Sequence, residues 1–164
     1  MTPPAALNVE HTIIIQAPPE RVLAAFFNPE DLREWWQVIR SVTVPRPLGT
    51  FAVEWASTDF QDDLLGHLGG TFHGTVMEFR PGSEFFVGDA YWQPPQGEPI
   101  GPMALEVQCR PQGAPHITRL SVRQSGEDDS PRWQRYFEVV SAGWQRALGE
   151  LKAYLDKESM RERR

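Results

Sequence analysis

The sequence predicts an α+β fold in which one long helix covers the hollow face of an antiparallel sheet. Three observations predict it. The chain opens with a strand and two short, proline-started helices; alternating apolar and polar runs, bounded by Gly, Pro and polar turns, then recur from residue 41 onward; and residues 130–157 carry apolar side chains three and four apart.

The first strand is VEHTIIIQ, residues 9–16, with His11, Ile13 and Ile15 on one side and Glu10, Thr12 and Gln16 on the other. Pro18 and Pro19 suit the first turn of a helix, where a missing amide hydrogen costs little, and Glu20 complements the positive end of its dipole. RVLAAFF continues that helix. Pro29 disfavours helical geometry at Asn28 and starts a second one, in which Leu32, Trp35 and Trp36 fall at i, i+3 and i+4 and share an inward stripe.

In TFAVEWA, Phe51, Val53 and Trp55 share one face of a strand. GTFHGTVMEFR, SEFFVGDAYW, MALEVQC and HITRLSVRQ follow as a meander. The facings of the first two are ambiguous, because Phe85 and Phe86 are both apolar and Met77 and Phe79 compete with Val76; a bulge or a two-sided strand fits either. The final helix places Trp133, Phe137, Val140, Trp144, Leu148, Leu151 and Leu155 on one stripe. Gly143 costs it roughly 1 kcal/mol relative to alanine, which a close backbone approach would explain.

A chain of 164 residues makes one domain, expected over residues 9–157 with tails at 1–8 and 158–164. The turn-rich stretches DFQDDLLGHLGG and QPPQGEPIGP read as long loops. A net charge of -6 argues against binding of a nucleic-acid backbone, which needs clustered Lys and Arg. The longest apolar run, VLAAFF, is far short of the roughly 20 residues that span a bilayer, so no membrane partner is expected. The first ten residues lack the basic start and apolar stretch of a secretory signal, and Cys109 has no second cysteine to pair with; a cytoplasmic location is expected.

The chemistry-bearing residues are sparse. His67 and His73 are six apart, but Gly69 and Gly70 interrupt the run, and a third ligand from Asp62, Asp63 or Glu78 would have to come from loose spacing; no metal and no cofactor are predicted. GHLGGTFHG matches no phosphate-binding pattern, and no Ser sits in a G-x-S-x-G elbow. Cys109 alternates with Val107 and Leu105 as a small buried hydrophobe does. Asp89 shares strand parity with Phe85, Val87 and Tyr91; in an unbroken strand it is a cavity acid, and in a bulged one it meets solvent.

Three strings also carry a resemblance: IIIQAPPERVLAAFFNPEDLREWW, GTVMEFRPGSEF and AGWQRALGELKAYL, which together cover most of the chain. They resemble the START-like or Bet v 1-like superfamily (SRPBCC, including polyketide cyclases), and within it homologues of the activator of the heat-shock-protein-90 ATPase. The resemblance implies a helix-grip fold, a seven-stranded curved antiparallel sheet wrapped around the C-terminal helix with a cavity between them. It implies little about function, because the superfamily spans lipid carriers, hormone receptors and cyclases. The chaperone activator itself has a further N-terminal domain to which nothing here corresponds, so chaperone association is not expected.

The residues expected to face the cavity are Trp36, Val53, Trp55, His73, Val87, Asp89, Tyr91, Val107, Trp144 and Leu148. Each alone reads as core; together they predict non-catalytic binding of a small hydrophobic or aromatic molecule. The alternatives are a cyclase- or hydrolase-like enzyme using His73, Asp89 or Tyr91 for proton transfer, and an interaction protein that partners a chaperone or forms a homodimer.

Overall fold

The computed structural model describes residues 7–162. The elements run β1 (Leu7–Ile15), α1 (Pro19–Ala24), α2 (Pro29–Trp36), β2 (Arg40–Thr43), β3 (Thr50–Trp55), β4 (Gln61–Asp62), β5 (Gly66–His67), β6 (Gly70–Arg80), β7 (Glu84–Gln93), β8 (Ile100–Pro111), β9 (Thr118–Gly126) and α3 (Pro131–Glu162). Seven strands form one antiparallel sheet in the order β1-β9-β8-β7-β6-β3-β2, and β4 and β5 make a small separate hairpin. This is the helix-grip arrangement: two short helices between β1 and β2, and one long helix across the sheet.

The prolines and Asn28 set the N-terminal helices as their chemistry requires. Asn28 stays extended, its Oδ1 accepts the Glu30 N–H at 2.9 Å, and Pro29 occupies the first helical position. Asn28→Ala should therefore lower stability by about 1 kcal/mol in urea unfolding. Gln37 then adopts a left-handed φ of 56°, ending α2 and turning the chain into β2.

The expected tail at 1–8 falls partly outside the described residues, but Leu7 and Asn8 already pair with Gly126 and Ser125, so the strand starts earlier than its pattern suggested. At the other end α3 continues through 158–162, which were expected to be tail. The reason is a polar cluster. Arg21 donates to both carboxylate oxygens of Asp31 at 2.8 and 2.9 Å and to both of Glu158 at 2.8 and 3.0 Å, while the Tyr154 hydroxyl donates to Asp31 at 2.6 Å. One turn earlier, Lys152 donates to the Ile14 carbonyl and Asp156 accepts the Gln16 N–H. The end of α3 is bolted to α1, α2 and the end of β1.

A bulge in β7 decides which side chains enter the hollow. Val87 pairs with Val76 and Gly88 with Thr75, but the ladder then slips so that His73 pairs with Tyr91. Asp89 sits in the slip with a φ of 51°. Before it, Phe85 and Val87 point inward; after it, Ala90 and Trp92 do, and the parity of the strand is inverted. A second slip between Val76 and Glu78 turns Met77 outward.

The hollow is filled unevenly. Next to α1, Phe26, Phe27, Phe51 and Phe85 pack edge-on or tilted with centroids 4.8 to 5.7 Å apart, leaving that half closed. The other half, between the first turns of α3 and the end of α2, is not closed.

Candidate functional site

An open-sided pocket of about 810 Å³ occupies that second half. Its walls are the C-terminal end of α2, the end of β3, the 56–69 loop, the inward side chains of β6 and β7, and the face of α3 from Tyr136 to Ala147. Trp36 stands at its centre. It stacks on Trp35 at 4.9 Å and 6°, leans on Trp144 at 4.9 Å and 36°, and receives Trp55 edge-on at 5.1 Å. Trp35 behind it is packing, buried to 2% with its N–H donated to the Ala25 carbonyl at 2.9 Å. The half-buried Trp36 and Trp55 keep part of their rings toward the open space.

Several polar atoms of the walls are engaged within the protein. Gln124, only 2% exposed, accepts the Trp144 N–H on Oε1 at 2.8 Å and donates Nε2 to the Tyr136 hydroxyl at 3.1 Å, with Met103 Sδ at 3.5 Å. Trp92 donates to the Gly69 carbonyl at 2.8 Å and Trp55 to the Trp36 carbonyl at 3.0 Å. Burial pushes the Tyr136 phenol above its ordinary range, so it stays neutral. No buried side-chain nitrogen or oxygen among the described residues lacks a partner. The interior therefore offers aromatic faces and few free hydrogen-bonding groups; Gln37, Arg146 and Glu150 sit at the rim.

Of the residues expected at the cavity, the structure brings together Trp36, Trp55 and Trp144. Val53, Val87, Val107 and Leu148 are buried in the closed core instead, on the sheet and helix surfaces that the packed side chains cover. His73, Asp89 and Tyr91 do not face the hollow at all. The bulge reverses the parity on which Asp89 and Tyr91 were placed, so Asp89 meets solvent, and Tyr91 stacks on the exposed His73 on the outer face with centroids 5.9 Å apart. His67 is spent in the 56–69 loop, bonded to the Thr58 carbonyl and Gln61, and is not brought to His73. Cys109 is in the core, where burial pushes its thiol up to about 12.

Among the wall residues outside the expected set are Phe72, Trp92, Gln124 and Tyr136. Two had a signal. Gln124 shares parity with Leu120 and Val122, a polar group on an inward face, and Tyr136, Val140 and Trp144 are spaced by four. Gly143 also differs from its expectation. No backbone approaches it; a Cβ there would meet nothing within 4 Å, and the glycine leaves its turn of α3 open to the pocket.

The sequence profile of the Activator of Hsp90 ATPase homolog 1-like proteins, AHSA1, matches residues 16–156. The chain belongs to the AHSA1 family. No curated relative matches it. Among solved structures, this AHSA1 chain is similar to protein MLL2253 from Mesorhizobium loti, with 22% identity, 92% of this chain and 97% of that one covered, and a TM-score of 0.67. Protein Ms6760 from Mycobacterium smegmatis superposes with a TM-score of 0.71 at 14% identity, covering 93% and 92%. The Aha1 dimer from Colwellia psychrerythraea gives 0.58 at 18% identity, covering 91% and 96%. At these identities the structural neighbours establish the helix-grip fold and leave the pocket's occupant to its own chemistry. No helix among the described residues is long and apolar enough to cross a membrane.

Proposed function

We propose that this AHSA1 protein binds a small hydrophobic or aromatic molecule in the tryptophan-walled pocket and performs no reaction on it. One observation carries the reading: an open space of about 810 Å³ is walled by Trp36, Trp55, Trp92 and Trp144, and the indole N–H groups of Trp55, Trp92 and Trp144 are donated within the protein. A polar guest would find few unengaged partners there and would lose its hydration, whereas a flat apolar one exchanges water for aromatic faces. The proton-transfer roles considered for His73, Asp89 and Tyr91 lose their basis, since those side chains lie on the other side of the sheet.

Fatty acids, flavonoids and polyketide-like aromatics are the classes to screen. A member of the right class at roughly a hundred times its Kd stabilises the fold by about 2.7 kcal/mol. That raises the melting temperature by roughly 5–10 °C, and it quenches the tryptophan fluorescence, with both responses weakened by Trp36→Ala. If none of the three classes shifts either signal, the binding reading fails.

A further inference from the structure

We propose, building on that reading, that residues 56–69 form a gate over the pocket and that the Asp62–Arg135 pair is the latch that holds it shut. The loop leaves the sheet at Trp55 and rejoins it at Gly70, two residues that pair with each other across β3 and β6. Its neck is closed: a Cβ on Gly69, whose φ is +100°, would lie 2.2 Å from the Ala56 carbonyl oxygen, so the two stems touch in a way only glycine permits. The neck is also anchored, because the Gly69 carbonyl accepts the Trp92 N–H.

Beyond the neck the loop looks after itself. Thr58 exchanges backbone and side-chain bonds with Leu68 and Phe60, His67 bonds Thr58 and Gln61, and β4 pairs only with β5. Such a self-bonded loop with a pinched base moves as a unit. Among the described residues, the only hydrogen bonds or ion pairs from 57–68 to the rest of the protein run from Arg135 on α3 to Asp62 Oδ1, at 2.7 Å. Asp62 Oδ2 meanwhile accepts the Leu64 and Leu65 N–H groups at 3.1 Å each, so one carboxylate both shapes the hairpin turn and docks it.

The docked loop is pocket wall. Thr58, Leu65 and Leu68 line the space, and Leu65 is 3% exposed there, whereas Phe60 and Leu64 on the outer side are 62% and 51% exposed. When the latch parts, Asp62 reaches water and Arg135 keeps Glu138, its second carboxylate at 3.1 Å. Neither charge is stranded, so the electrostatic cost of opening is small, and what opposes it once the latch parts is the exposure of Leu65. Entry of a guest larger than the open side admits is then set by the latch.

The test uses the full chain. Amide hydrogen exchange, read without any ligand, should speed up roughly tenfold over 57–68 in Arg135→Gln and stay unchanged in β7, β8 and β9, with Arg135→Lys intermediate because it restores the charge but not the two-nitrogen hold. Stopped-flow binding of anilinonaphthalene sulfonate should show association and dissociation rates both raised by a similar factor, the affinity nearly constant. Exchange over 57–68 equal to wild type, with the probe still binding, overturns the gate alone. Acceleration that spreads through the strands assigns Arg135 to global stability and also overturns it. Faster loop exchange with unchanged probe kinetics overturns the gating role. Absence of probe binding to either protein counts against the pocket reading itself, and the gate falls with it.

Discussion

Arg21→Leu lowers the melting temperature by roughly 6–12 °C, the equivalent of about 3 kcal/mol for a domain of this size. The cost comes from what is left behind. Asp31 is 3% exposed, and its carboxylate is held by Arg21 through two hydrogen bonds and by Tyr154 through a third. Without the guanidinium, a buried negative charge keeps one hydroxyl donor, and the end of α3 loses its bridge through Glu158. Glu158→Gln is the contrasting variant. Glu158 is half-buried at the rim of the cluster, so its loss costs below about 1 kcal/mol. Thermal unfolding followed by circular dichroism separates the two, and equal losses would show that the cluster acts as surface charge rather than as a buried tie.

The same cluster predicts how stability depends on pH. Burial pushes the Asp31 carboxyl up, but the hydrogen bonds from Arg21 and Tyr154 outweigh it and hold the group below its usual range. The unfolded chain therefore takes up a proton at Asp31 more readily than the folded one does. The contribution is complete above the unfolded value of about 4 and disappears as pH falls through the lower folded value. Tyr154 acts at the other end of the scale: burial, and then its bond to the Asp31 carboxylate, raise its phenol to about 12. The unfolded chain releases that proton near pH 10, so this contribution is lost as pH rises from about 10 to 12. Urea midpoints across the pH range should show the gap between wild type and Arg21→Leu narrowing in acid, and a gap independent of pH would rule the cluster out as its source.

What the sequence made legible follows from how far each physical signal reaches. Helix starts were legible because Pro19, Asn28 and Pro29 act within one turn of themselves, and α3 because its stripe repeats over many turns. The alternation of TFAVEWA put Trp55 correctly beside Trp36 and Trp144, whose placement needed only local periodicity and the helix-grip resemblance. Parity, however, holds only in an unbroken ladder. One left-handed residue, Asp89, exchanged the inward set Asp89 and Tyr91 for Ala90 and Trp92; Gly88 and Asp89 permit such a bulge, but residue types that permit it do not fix whether the ladder slips there. Residues 158–162 show no apolar stripe because Glu158 is held by a charge 137 residues away, and a pattern search over neighbours cannot see that partner. The valines went the other way: Val53, Val87 and Val107 face inward as read, but they lie in the buried core that Phe26 and Phe27, just past α1, help to close.

Trp144→Ala is expected to cost about 4 kcal/mol, the largest loss of any single change proposed here, because a buried indole is removed from beside a pocket that is already open. Trp144→Phe separates the ring from its hydrogen bond. The benzene ring retains much of the packing against Trp36, but the Gln124 Oε1 is left buried without the donor 2.8 Å away, at about 1–3 kcal/mol. Gln124→Leu produces the complementary defect, stranding the indole N–H and weakening the hold on Tyr136. Combined, Trp144→Phe and Gln124→Leu remove both ends of the bond. The double variant should therefore be more stable than the sum of the single losses by about 1 kcal/mol, since one unsatisfied group in each single variant vanishes in the pair. Urea unfolding of the four proteins measures that coupling. Strict additivity would mean that the Gln124 bridge contributes nothing specific and that the wall of the pocket is set by aromatic packing alone. Coupling of the expected size makes Gln124 the residue that fixes the tilt of Trp144 against Trp36, and so the shape that any guest of the pocket must match.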